Sequence, residues 1–145
     1  MGFFIIVFFC WSSYSIPIMN LINLSLILVG GGVGALFRFV VSRFVSERIF
    51  TAFPLGTLVV NVSGSLLMGF FFTVINRAAL SQNYRFLITI GFIGAYTTFS
   101  TYALETVTLL QKGQYGAAFW NFFLNNVVSF AAIVLGILLA QANRI

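Results

Sequence analysis

Four apolar stretches, each long enough to cross a bilayer, take up most of the chain and leave room for little else. A spanning helix needs roughly 20 predominantly apolar residues. The stretches run approximately over 21–44, 55–76, 86–110 and 115–140. The breaks between them are short and carry the turn and charge signals. Arg43, Glu47, Arg48 and Pro54 mark the first, Arg77 and Arg85 the second, and Lys112, Gly113 and Gly116 the third. Short connections make successive helices antiparallel neighbours. The expected fold is an all-α membrane protein with four transmembrane helices.

Composition agrees and removes whole classes of function. Hydrophobic residues make up 61% of the chain, charged residues 6%, and the mean hydropathy is +1.09. So few charges cannot cover the surface of a soluble domain. Glu47 and Glu105 are the only acids and there is no histidine, so neither a Ser/His/Asp set nor paired carboxylates can be assembled. An enzyme is not expected. Cys10 is the only cysteine, which allows no internal disulfide and reads as a small apolar residue. With no histidine, a metal site of His, Cys and acid ligands is nearly excluded. The seven basic residues are scattered, so no nucleic-acid partner is expected.

The first 18 residues stand apart. "MGFFIIVFFCWSSYSIPI" is apolar, lacks the basic start of a signal peptide and is interrupted by Pro17. Residues 1–18 are read as an N-terminal extension or the product of an upstream start codon, with an interfacial helix or a fifth span as alternatives. Residues 19–145 form the four-helix transmembrane domain. With four spans, Arg77, Arg85 and Arg144 share one side and Arg43, Arg48 and Lys112 the other. This tie gives the positive-inside rule nothing to act on. A chain without orientation bias can insert both ways, and two copies could then pair head to tail. A chance tie in so small a sample is the bland alternative.

Polar residues fall in stripes. Thr57, Asn61, Ser65 and Gly69 are spaced by four in the second span, as are Asn121, Asn125 and Ser129 in the fourth and Gly30, Gly34 and Arg38 in the first. Residues four apart share a helix face. Small residues at such spacing let helices approach closely, the simplest account of Gly30, Gly34, Ser65 and Gly69. Asn61 and Asn125 are harder to explain as packing, because a buried carboxamide needs several partners. Asn61 either lines a polar path or bonds across a helix seam. Arg38 is an orientation anchor or a cation at a pore mouth. Glu105 is a functional candidate, the partner of an arginine, or a bonded structural group.

The densest polar signal lies inside the third span. In "GAYTTFSTYALE", six of the seven residues from Tyr96 to Tyr102 carry a hydroxyl. Gly91 and Gly94 precede them, so a regular helix is less expected here. Irregular backbone at membrane depth survives only when buried in protein or lining a cavity. Hydroxyls of Thr97, Ser100 and Thr101 are donors, and Phe99 and Tyr102, three apart, can turn positive ring edges to one face. Donors and ring edges, in a chain almost without acids, point to anion passage. A polar helix–helix seam is the alternative.

These residues resemble the Fluc (CrcB) family of fluoride channels. The pieces "GGGVGALFRF", "PLGTLVVNVSGSLLMG", "GFIGAYTTFSTYALE" and "NFFLNNVVSF" occur in family order over about residues 24–140. The resemblance implies a passive, fluoride-selective channel of the bacterial inner membrane, multi-pass, exporting fluoride from the cytoplasm. It implies an antiparallel dual-topology homodimer with two pores and a third helix broken near its middle. It implies a structural sodium ion held by backbone carbonyls, matching Gly94 and Thr97. Asn61, Phe99, Tyr102 and Ser129 match the fluoride path, to which the donors Ser100 and Thr101 are added. Arg38 matches the pore vestibule and Glu105 a pore-adjacent acid. Three positions depart from the family pattern: Tyr102 replaces a phenylalanine, Ala95 the second of two glycines, and Asn125 stands where many relatives carry tyrosine.

The implied activity makes physical sense. Hydrogen fluoride crosses lipid neutral and ionises inside, and a negative interior drives the anion out with about 2.3 kcal/mol per charge per 100 mV. Two other classes compete. A small dual-topology proton-coupled multidrug exporter needs a membrane carboxylate in its first helix, where this chain has Arg38 instead. A passive scaffold would explain the packing stripes but not the clustered donors.

Overall fold

The computed structural model describes residues 20–49 and 53–142. Residues 1–18 and the contribution of Arg144 to the charge tally lie outside them. Four helices long and apolar enough to span a membrane follow one another: α1 (Leu21–Arg48), α2 (Leu55–Arg77), α3 (Gln82–Gln111) and α4 (Tyr115–Ala142). The described residues contain no strand. Lipid cannot hydrogen-bond a backbone, so helices are the expected state of these runs.

The ends have local causes. Asn20 caps α1, its Oδ1 accepting from the Asn23 N–H at 2.8 Å, a contact worth about 1 kcal/mol. The helix runs past the expected end near residue 44 to Arg48 because nothing in that stretch breaks it. Arg43 and Glu47, one turn apart on its exposed end, pair at 2.6 Å. Helices α2 and α3 close with the same motif. Leu80 N–H reaches back to Ile75 C=O at 3.1 Å, and Gln114 N–H to Leu109 C=O at 2.9 Å. Such a turn needs its penultimate residue left-handed. At the end of α3 that residue is Gly113 at φ 71°, but after α2 it is Ala79 at φ 46°.

Packing follows the small-residue stripes. Helix α2 lies most extensively against α4, and α1 against the first half of α3. At Gly34 an added Cβ would run into the carbonyl of Phe92, and at Gly136 into that of Leu66. Gly30 and Gly69 face neighbouring carbonyls in the same way. These helices touch backbone to backbone, as expected for the stripes. Ser65 instead lines a pocket beside the polar stretch of α3. The outward surface of α1 and α4 is large and apolar, with Leu28, Phe39, Phe119 and Phe130 well exposed.

Candidate functional site

Helix α3 is not uniform. Arg85–Ile93 winds with the wider π-type turn. Gly94–Tyr96 is α-helical, and Phe99–Gln111 is again α-helical. Between them Thr97 (φ −85°, ψ 158°) and Thr98 (φ −148°, ψ 115°) are extended. Gly94 itself is helical, at φ −60° and ψ −37°. The change of course therefore falls three residues beyond the glycine. No residue of this stretch needs a positive φ, since among the described residues only Ala79 and Gly113 have one. Ala95 accordingly brings no strain.

The extended pair is held from another helix. Asn61 of α2 lays its carboxamide along Thr98 as a second peptide group would. Its Oδ1 accepts from Thr98 N–H at 2.8 Å, and its Nδ2 donates to Thr98 C=O at 3.1 Å. In an uninterrupted helix the Thr98 N–H would bond Gly94 C=O instead. The second Nδ2 hydrogen of Asn61 goes to Asn125 Oδ1 at 2.8 Å. Asn125 in turn donates to Asn121 Oδ1 at 2.9 Å. Asn121, fully buried, donates to Tyr102 C=O at 3.3 Å and Thr106 Oγ1 at 2.9 Å. The ladder thus starts at Thr98 and returns to the same helix at Tyr102. Its three asparagines and Thr98 are buried polar groups with their partners found, as burial requires.

Past the extended pair the helix restarts with its own cap. Thr98 Oγ1 accepts from Thr101 N–H at 3.3 Å and donates to Thr101 Oγ1 at 2.9 Å. First-turn N–H groups have no acceptor within a helix, and a helix start carries partial positive charge. Beside it, the Phe99 and Tyr102 rings meet edge to face, with centroids 5.1 Å apart and planes at 79°. Both rings, with Asn61, Thr97, Thr98 and Met68 among others, line a pocket of about 250 Å³.

The remaining candidates are not among the residues lining this pocket. Ser100 and Thr101 are exposed on the first restarted turn, and Phe99 is 74% exposed on the single chain. Arg38, half-buried, donates to Thr97 C=O at 3.4 Å. Ser129 Oγ is buried and makes no hydrogen bond. Glu105 lies apart, in a second cavity of about 230 Å³ with Pro54 and Lys112. Its Oε1 accepts from Thr57 at 2.7 Å and its Oε2 is buried without a partner. The partner of Glu105 is therefore a hydroxyl rather than an arginine. Sequence reasoning missed Thr98, Asn121 and Asn126 as site residues. Asn121 was visible on the Asn125 stripe, but its partners on α3 were not.

Chemically the site offers hydroxyls, a helix start and ring edges, which suit an anion. It also offers backbone carbonyls, the ligands a hard cation takes. The Gly94 carbonyl has lost the Thr98 N–H as its donor, so it fits such a role better than Thr97, whose carbonyl faces Arg38.

Fold and site together define a small four-span integral membrane protein with a polar, irregular stretch in its third span. The family profile described as "CrcB-like protein, Camphor Resistance (CrcB)" matches residues 25–137. The chain belongs to this family. It is 48% identical over 122 residues to a "Fluoride-specific ion channel FluC" of Methylococcus capsulatus, covering 82% of this chain and 54% of that protein. The chain thus spans about half the length of that relative. It is 43% identical to a protein of the same name from a Hydrogenobaculum species, covering 79% of this chain and 93% of the relative. A Shewanella baltica protein of that name is 42% identical over 114 residues, covering 92% of the relative. Four apolar helices and such relatives make this a multi-pass protein of the bacterial inner membrane.

Proposed function

We propose that this protein is a passive, fluoride-selective channel that lets fluoride leave the cytoplasm. The observation that carries the reading is the restarted helix at Phe99. There a helix start, hydroxyls and the Phe99–Tyr102 ring pair meet at one pocket. The names of the relatives supply the ion. Fluoride is small and strongly hydrated, so donors placed beforehand must replace its water. Ser100, Thr101 and Ser129 are donors of the right kind, and Arg38 concentrates anions at the mouth. Asn61 contributes by holding Thr98, since both of its amide hydrogens are engaged.

The working unit is an antiparallel, dual-topology homodimer with two pores, in which the broken third helices of both copies meet. Gly94, Phe99, Ser100 and Thr101 are exposed on the single chain, within a span. Hydroxyls and irregular backbone facing lipid are costly. A second copy against this stretch removes the cost, and the tied charge tally allows it to insert inverted. Carbonyls of Gly94 and Thr97 from both copies would hold a structural sodium ion, which would tie the two irregular stretches together. A proton-coupled exporter is disfavoured because the acid at depth, Glu105, sits on α3 with Thr57.

The test is reconstitution into liposomes with fluoride efflux followed by electrode and chloride as control. Fast fluoride efflux with little chloride supports the channel. Dimeric protein that carries no fluoride, with or without sodium, refutes it. Replacing sodium by a large organic cation should slow efflux and weaken the dimer if the sodium assignment is right.

A further inference from the structure

Tyr102 is held by a residue outside the pocket. Its phenol oxygen lies 3.1 Å from Asn126 Nδ2 on α4. The direction of this bond follows from a second one. The same Nδ2 lies 2.7 Å from Phe122 C=O, which can only accept. The atom facing the phenol is therefore the amide nitrogen, and the phenol oxygen is the acceptor. The phenol hydrogen is left over, with no protein acceptor among the described residues. A hydroxyl whose oxygen already accepts a hydrogen bond is a stronger donor. One turn along α4 from Asn126, Ser129 Oγ is buried and equally unpartnered. Two hydroxyls without acceptors thus belong to Tyr102 and to the turn of α4 next to Asn126.

We propose that Asn126 is a positioning residue of the pore: by donating to Tyr102 it fixes that ring against Phe99 and leaves the phenol O–H free to bond the passing anion. The inference rests on the fluoride-channel reading and assigns a specificity role to a residue on the rim. It gives Tyr102 two contributions, a ring edge and a hydroxyl. It also makes the hydroxyl depend on Asn126, because without the amide the phenol can turn its hydrogen to the nearest carbonyl.

A double-mutant cycle tests this, using the full chain reconstituted in liposomes and fluoride and chloride efflux as readouts. Tyr102→Phe and Asn126→Leu should each slow fluoride efflux about three- to tenfold, the net effect of one ordinary hydrogen bond. Chloride leak should not fall, so the fluoride-to-chloride ratio drops. In the Tyr102→Phe background, Asn126→Leu should add nothing further. Asn126→Ala carries the same test if the leucine variant aggregates. Equal slowing by Asn126→Leu in both backgrounds, or none in either, overturns the proposal while leaving the channel intact. An unmodified chain that carries no fluoride overturns the channel reading and this inference together, and the two failures are told apart by that reference arm.

Discussion

Replacing Asn61 by leucine removes the support of the extended pair while keeping the number and branching of the side-chain heavy atoms. No cavity forms, so the loss is one of hydrogen bonds. Three go: Thr98 N–H at 2.8 Å, Thr98 C=O at 3.1 Å and Asn125 Oδ1 at 2.8 Å. Thr98 and Asn125 are both buried, so these groups have no water to turn to. Measured inter-helix bonds in membranes average about 0.6 kcal/mol, whereas a stranded buried partner costs about 1–3 kcal/mol. Three bonds at the membrane average give about 2 kcal/mol and three stranded groups at the middle of the second range about 6 kcal/mol, which bracket the expected cost of Asn61→Leu. At roughly 3 °C per kcal/mol for a chain of this size, thermal unfolding in detergent should come roughly 6–18 °C earlier. Asn61→Asp keeps the acceptor for Thr98 N–H but turns lone pairs on Thr98 C=O and Asn125 Oδ1. It should be no better than leucine. Melting of the Asn61→Leu protein within about 2 °C of the original, with unchanged fluoride efflux, would show that the clamp contributes nothing.

Three further outcomes are expected. Ala79→Gly relieves a left-handed alanine at a turn whose counterpart is Gly113, and should stabilise the protein by about 0.5–1 kcal/mol in a thermal melt. Gly34→Ala and Gly136→Ala push a methyl group into a neighbouring backbone carbonyl and should each lower stability by about 1–3 kcal/mol. Gly32→Ala, with nothing near its added carbon, should be neutral or slightly stabilising. Thr57→Val strands the Glu105 carboxylate, already short of one partner, and should cost about 1–3 kcal/mol. Adding Glu105→Leu should recover part of that loss, and a double variant less stable than Thr57→Val would contradict the pairing.

The four spans were legible because length and apolarity decide them, and their ends differ from the expected ones by a few residues. The extension of α1 to Arg48 shows why: no breaker marked an end there. The packing role of Gly30, Gly34 and Gly69 was legible too, since close approach follows from spacing. The hydroxyl run marked the right stretch of α3, but the glycines pointed a little early. The reason is that the backbone turns aside where Asn61 meets it, 37 residues away in the chain. A cause on a different helix leaves no local trace. The same holds for Glu105, whose partner Thr57 is 48 residues distant. Asn126 was hidden for another reason: next to Asn125 it is off the four-residue stripe, on the face that meets Tyr102.

Support for Thr98 from a neighbouring helix has a consequence for synthesis. A ribosome delivers these spans one at a time, α2 before α3 and α4 last. The third is the least apolar of the four, and it carries backbone that cannot satisfy itself. When it emerges, Asn61 is already in the bilayer to receive it. Asn121 and Asn125 follow 23 and 27 residues behind Thr98 and reach the bilayer later. The irregular stretch is therefore half-supported at birth, and only the arrival of the final helix closes the ladder. A chain truncated before Tyr115 should hand its third span to the quality-control machinery rather than to the membrane.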